Sequence, residues 1–243
     1  MTTSLDGIAA HAWITEFQEA FDRSQQRLGD LDRLAGDGDF GTNIASALRR
    51  VSEALPTAEG ATFRSVFTAV SRGFLATGGT SGPLFGMWFR SIGRAADAEA
   101  TTLDLADGVH DGLERITALG GAKVGDSTMV DALDPAAAAL HDAACSGLSA
   151  ADALAAAARA AREGARSTGE LIAQRGRASY VGELARGVLD PGAVTIALFF
   201  EAGARSAGST EPWGDLLGDG ALPDAPRTAD EEAVGIGSGT PER

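Results

Sequence analysis

The chain has 243 residues, 44% of them hydrophobic, enough to bury a sizeable core as one large domain or two small ones. Its net charge of -14, from 34 acids against 20 bases, excludes the basic face that nucleic-acid binding needs. There is no apolar run of about 18 residues, and the N-terminus lacks both a basic n-region and an apolar h-region, so no membrane partner is expected and a soluble, cytoplasmic protein is. The single cysteine, Cys145, excludes an intrachain disulfide. In its Ala-rich surroundings it reads as a small core residue.

Apolar residues recur at three-to-four spacing almost throughout, and no period-two run bounded by hairpin turns interrupts them, so the fold class is all-α. In chain order the helical segments are 6–34 (with Trp13, Ile14, Phe17, Phe21 and Leu28), 42–55, 62–76 (Phe63, Val66, Phe67, Val70, Phe74), 82–96, 104–119, 128–145, 149–174 and 191–204. Ser149-Ala-Ala-Asp152 has the form of a capping box opening the Ala-rich seventh segment. From Arg205 the apolar pattern gives way to Gly, Pro, Ser, Asp and Glu. The expected division is therefore a helical barrel or bundle over 1–204 and a mobile acidic tail over 205–243, in which Trp213, Leu216 and Leu217 could dock as a short helix.

If consecutive helices run up and down, parity sorts the connections between two ends. One end receives Gly36 to Asn43, Gly78 to Pro83, Gly120 to Thr128, and Gly176 to Tyr180 with Asp190 to Gly192. The other receives plain turns such as 56–60 and 146–149. Gly, Asp, Ser/Thr and Arg thus gather at one end. Each loop there leads into a helix start, where free N–H groups and the helix dipole attract anions, and glycine lets a phosphate come close to the backbone.

The first of these loops carries Asp32, Asp37 and Asp39, three acids within eight residues, with only Arg33 nearby. Carboxylates this close repel one another unless a cation sits among them. A hard ion with oxygen ligands, such as Mg²⁺, fits best; a polar turn with solvated acids is the other reading. Metal-holding carboxylates facing N–H donors and an arginine would meet the needs of phosphoryl transfer, which is mostly positioning and charge neutralisation. No Walker-type or protein-kinase loop is present.

Four ordered motifs, Gly36-Asp-Gly-Asp-Phe-Gly-Thr-Asn43, Gly78-Gly-Thr-Ser-Gly-Pro-Leu-Phe-Gly86, Gly125-Asp-Ser-Thr-Met-Val-Asp-Ala-Leu-Asp-Pro135 and Gly176-Arg-Ala-Ser-Tyr-Val-Gly182 followed by Asp190-Pro191-Gly192, resemble the dihydroxyacetone kinase L subunit over about residues 5–204. The resemblance implies a barrel of eight antiparallel amphipathic helices with ADP or ATP held at one end through two Mg²⁺ ions. Asp32, Asp37 and Asp39 would be the metal ligands. Gly41, Thr42, Asn43, Thr80 and Ser81 would meet phosphates, with Phe40 beside them. Gly120 and Met129 would line the adenine and ribose side, Arg177 would face the phosphates, and Asp190, Pro191 and Gly192 would close over the nucleotide. A separate K subunit would hold the triose, and a phosphotransferase-system protein could recharge bound ADP.

Two positions depart from that family's pattern: Phe40 stands where His is usual and Ser127 where Lys is common. Lys123, the only lysine, could replace the lost charge. His11, His110 and His141 lie outside every motif. Other acceptors, a different small ketose or sugar or a fatty acid, and a non-catalytic nucleotide sensor remain the alternatives.

Overall fold

The computed structural model describes residues 4–218. Eight helices account for nearly all of it: α1 (Gly7–Ala35), α2 (Phe40–Ala54), α3 (Phe63–Leu75), α4 (Ser81–Ala95), α5 (Thr102–Gly120), α6 (Met129–Cys145), α7 (Ala150–Ser167) and α8 (Pro191–Ser206). Each helix packs on the next in sequence, and α8 returns to pack on α1. The result is a closed barrel of eight antiparallel helices, as expected from the short connections. Two short strands, β1 (Ser4–Leu5) and β2 (Ala100–Thr101), pair antiparallel ahead of α1 and α5.

The helix starts are written locally. Asp6 accepts from the Ala9 N–H at 2.8 Å. Thr62 with Ser65, Thr101 with Asp104, and Thr128 with Asp131 form reciprocal capping boxes. Ser149 caps α7 by accepting from the Asp152 N–H. The barrel interior is aromatic. Phe199 on α8 sits among Trp13, Phe17, Trp88, Phe89 and Phe200, with ring centroids 4.5–5.4 Å away, and the Trp13 indole N–H donates to the Phe199 carbonyl at 2.8 Å. Burial of such rings dominates core energetics.

Three expectations change. Helix α7 ends at Ser167, not at 174. The Thr168 hydroxyl donates to the Ala165 carbonyl and accepts from the Asp190 N–H, which turns the chain out of the helix and across the barrel mouth. Cys145 is exposed rather than in the core. The buried face of α6 runs through Ala136, Leu140 and Ala143, which leaves position 145 outside, with its sulfur 3.4 Å from His141 Nε2.

The break in apolar pattern at Arg205 does not end the packed chain either. Helix α8 continues to Ser206, and residues 209–218 lie along the outside of α1, α7 and α8, where Leu216 and Leu217 are buried. They dock as an irregular strap, not as a helix. Under the strap, buried Arg162 on α7 pairs with buried Glu201 on α8 and donates to the Gly214 carbonyl at 2.6 Å. Arg205 reaches both Glu16 on α1 and Glu201. Arg27 on α1 pairs with Asp215 at 2.7 Å. Residues 219–243 of the expected tail lie outside the described residues.

Candidate functional site

The loops after α1, α3, α5 and α7 meet at one end, where they enclose a cavity of about 360 Å³. Every one of the four contributes: Asp37 and Asp39 from the first, Gly79 and Thr80 from the second, Ala122 and Ser127 from the third, and Leu171 through Asp190 from the fourth. The last runs through 3-10 turns at Thr168–Glu170, Arg177–Tyr180 and Gly182–Ala185 and roofs the cavity.

At one wall, one oxygen from each of Asp32, Asp37 and Asp39 lies within 4.8 Å of the others. Gly36 and Gly38 make this possible. A Cβ on Gly36 would stand 2.7 Å from Asp32 Oδ1, and Gly38 takes φ +77°, the left-handed region open to glycine. Asp32 Oδ2 also accepts from the Phe40 N–H at 3.0 Å. Burial, then the charges of Asp37 and Asp39, hold the Asp32 carboxyl above its usual range against the pull of that backbone bond. Arg33 does not relieve the cluster, because it pairs with Asp30. Arg177 does, reaching from the roof to place Nε 2.7 Å from Asp37 Oδ2. A set of oxygen-only donors already drawing in a cation suits a hard divalent ion.

The start of α4 lines the same cavity as the acids, with Gly79 beside Asn43 of α2. Of the four helix starts at this end, α6 and α8 are closed by their own cap residues: Thr128 accepts from the Val130 N–H and Asp190 from the Ala193 N–H. At α2 and α4 the cap residues Asp39 and Thr80 make no such bond. The anion-attracting helix starts are therefore two, not four, and that of α2 is partly occupied by Asp32. Gly79, at φ +79°, Thr80 and Ser81 present the open α4 start to the cavity.

Of the residues expected from sequence, Asp32, Asp37, Asp39, Phe40, Thr80, Ser81, Gly120, Met129, Arg177, Asp190, Pro191 and Gly192 all line the cavity. Gly41, Thr42 and Asn43 do not. Gly41 is buried against α1, where a Cβ would lie 2.8 Å from the Gln25 carbonyl, so it serves the α1–α2 crossing. The Thr42 hydroxyl donates to the Asp39 carbonyl, and the Asn43 amide lies beside Gly79. Lys123 is exposed and off the cavity lining. Ser127, the described non-glycine residue at positive φ, is buried and donates to the Thr168 carbonyl. The cation that does line this wall is Arg175, with Nε 3.4 Å from Asp126 Oδ2. It lies two residues before Arg177 in Gln174-Arg-Gly-Arg177, and that doubled arginine was the available signal. The apolar lining from Leu84, Ile116, Leu171, Val188 and Leu189 carries no motif at all.

Asp190 is half-buried, yet burial of its carboxyl, with Asp131 and Asp32 nearby, pushes it up from 3.8 to about 7. The folded state therefore holds this proton in a window where the unfolded chain has released it, and stability falls as pH rises through that window. Asp190→Asn keeps the capping oxygen without the charge. In metal-free, nucleotide-free protein the variant's melting temperature relative to wild type is expected to gain about 2–4 °C between about pH 5 and about pH 8. An offset that does not move with pH in thermal melts would contradict this.

The fold also occurs in a solved kinase. The crystal structure of the dihydroxyacetone kinase of C. freundii superposes on 85% of this chain with a TM-score of 0.63 at 27% identity. A second structure of that enzyme, in complex with AMP-PNP and Mg²⁺, covers 80% with a TM-score of 0.59. This chain spans about a third of the length of that kinase. The DAK2 domain matches residues 34–205, and the chain belongs to that family. It is 36% identical over 192 residues to the PEP-dependent dihydroxyacetone kinase 1, ADP-binding subunit DhaL, of Listeria innocua, covering 78% of this chain and 91% of that one. The corresponding Escherichia coli subunit is 34% identical, covering 80% and 94%. The L-erythrulose 1-kinase of Mycolicibacterium smegmatis is 36% identical over 79% of this chain but only 34% of its own length. No described helix is long and apolar enough to cross a membrane.

Proposed function

We propose that this chain is the nucleotide-holding, phosphoryl-donating subunit of a dihydroxyacetone-type kinase, acting on a triose held by a separate K subunit. The observation that carries the reading is the presence, in one cavity, of three clustered carboxylates and the uncapped start of α4. Asp32, Asp37 and Asp39 would hold Mg²⁺, two ions in all, whose charge would neutralise the phosphates and the group in transfer. Thr80, Ser81 and the α4 N–H groups receive phosphate oxygens, and Arg177 moves its charge from Asp37 towards them. Gly120, Met129 and the apolar lining take the base and ribose. Asp190, Pro191 and Gly192, with the roof, keep water from the phosphates. Phe40 keeps the backbone bond to Asp32 and contributes an apolar wall where a histidine would contribute a polar contact, so its ring excludes water without touching phosphate charge.

The relatives named as DhaL subunits, alike over nearly their whole length, favour a cytoplasmic protein carrying ADP that a phosphotransferase-system protein recharges, over exchangeable ATP. The erythrulose kinase relative supports one second reading, the same donor serving a four-carbon ketose. Protein purified in Mg²⁺ and then denatured is expected to release ADP at about one per chain, and EDTA before denaturation is expected to strip it. Chromatography of the released material checks both. Failure to release nucleotide or to bind added Mg-ADP or Mg-ATP would overturn the proposal.

A further inference from the structure

Two arginines of the roof, two residues apart, tie it to two different loops. Arg177 bonds Asp37 on the acid side, whereas Arg175 turns to the loop between α5 and α6. There Nε meets Asp126 Oδ2 at 3.4 Å. Asp126 is buried, its Oδ2 also accepts from the Lys123 N–H at 3.1 Å, and its carbonyl accepts from the Gln174 N–H at 2.9 Å. Both the backbone and the side chain of 174–175 are thereby tied to this loop.

The guanidinium has a defined face. A Cβ built on Gly121 would stand 3.7 Å from Nη1, 3.7 Å from Nη2 and 3.8 Å from Cζ. Near-equal distances to three atoms of one plane mean that Gly121 lies under its face, not at its edge. Gly121 ends α5 in the left-handed region at φ +64°, and with no side chain there nothing from position 121 stands on that face. Gly121 lies to one side of the plane, the Nε edge is turned to Asp126, and Arg175 lines the cavity. The wall beside it is apolar, from Leu84, Ile116 and Met129, and the two rings that border the cavity, Phe40 and Phe85, are only 7% and 1% exposed.

We propose that Arg175 is the stacking platform for the nucleotide's base, held flat by Asp126. The inference rests on the nucleotide reading above and adds to it the residue that engages the base. A guanidinium is planar, weakly hydrated and stacks on aromatic faces. A lysine would pair with Asp126 as a point charge but has no plane to offer. The stack sets how tightly a nucleotide is held without choosing among bases, since every base has a π-face.

The test is calorimetric titration in Mg²⁺ of wild type, Arg175→Lys and Arg175→Ala with two ligands, ADP and inorganic pyrophosphate, which has no base. Arg175→Lys keeps the pairing with Asp126, so it is expected to weaken ADP about tenfold and leave pyrophosphate within about twofold. Arg175→Ala, which also loosens the roof, is expected to weaken ADP at least as much. Equal loss for both ligands in Arg175→Lys would make the residue a phosphate contact and overturn the proposal, as would no loss for either. If Arg175→Lys lowers the melting temperature, Arg175→Met is read by the same comparison. Wild type binding pyrophosphate as tightly as ADP would sink the stacking role alone. Wild type binding neither would sink the nucleotide reading with it.

Discussion

Asp37→Ala is expected to weaken Mg²⁺-dependent ADP binding by about 100-fold or more, equivalent to about 3 kcal/mol, with the melting temperature of the metal-free protein unchanged or raised. The rise is possible because the acids repel one another. Asp32 already carries a carboxyl held above its ordinary range by burial and by the charges of Asp37 and Asp39, so removing one neighbour relieves it. Asp37 also anchors Arg177 at 2.7 Å, and loss of that anchor is a rival cause of weakened binding. Asp37→Asn separates the two, since the amide oxygen still accepts from Arg177 but supplies no charge. If Asn binds ADP like wild type while Ala does not, Asp37 serves the roof and not a metal. If both lose binding, and neither responds to added Mg²⁺ in calorimetry, the carboxylate itself is required.

Glu201→Ala is expected to cost about 3–5 kcal/mol of unfolding free energy. Glu201 and Arg162 are both almost fully enclosed, and burial pushes the Glu201 carboxyl up while Arg162 pulls it back. Removing the acid leaves a guanidinium in the barrel wall whose described partner is then the Gly214 carbonyl. Replacing both, as Arg162→Met with Glu201→Leu, is expected to recover most of the loss, because two apolar groups need no compensation. Urea denaturation of the single and double variants checks the pair. A loss below about 1 kcal/mol for Glu201→Ala would mean that water reaches the pair.

The helices and the clustered end were legible because both are written in local chemistry. Capping residues mark the helix starts, and the glycine–aspartate and glycine–threonine motifs fall in connections that parity sends to one end. What was not legible depends on distant partners. Thr168 ends α7 early through a bond to Asp190, twenty-two residues on. The strap is held by Arg162, Arg27 and Arg159 on α7 and α1, with little apolar periodicity of its own to announce it. Gly41 sits in a phosphate-like motif but is needed for a helix crossing, and the two roles share one residue type. Cys145 and Lys123 were placed by neighbouring composition, which does not say which way a helix face or loop turns. Arg175 reads as one of two arginines until Asp126 shows where it points.

The closed ring has a consequence for how the chain assembles. Seven of the ring's eight helix–helix seams join neighbours in sequence, and all of these but α7–α8, whose connection is the cavity roof, form by closing short loops at small entropic cost. The eighth joins α8 to α1 across almost the whole length of the chain. That seam is the slow, non-local step, and it is where the Trp13–Phe199 bond, the Arg205–Glu16 pair between α8 and α1, and the strap's tie from Asp215 to Arg27 on α1 are found. Folding is expected to finish there and unfolding to begin there, while the acid-bearing hairpin of α1 and α2 is among the first parts to take shape.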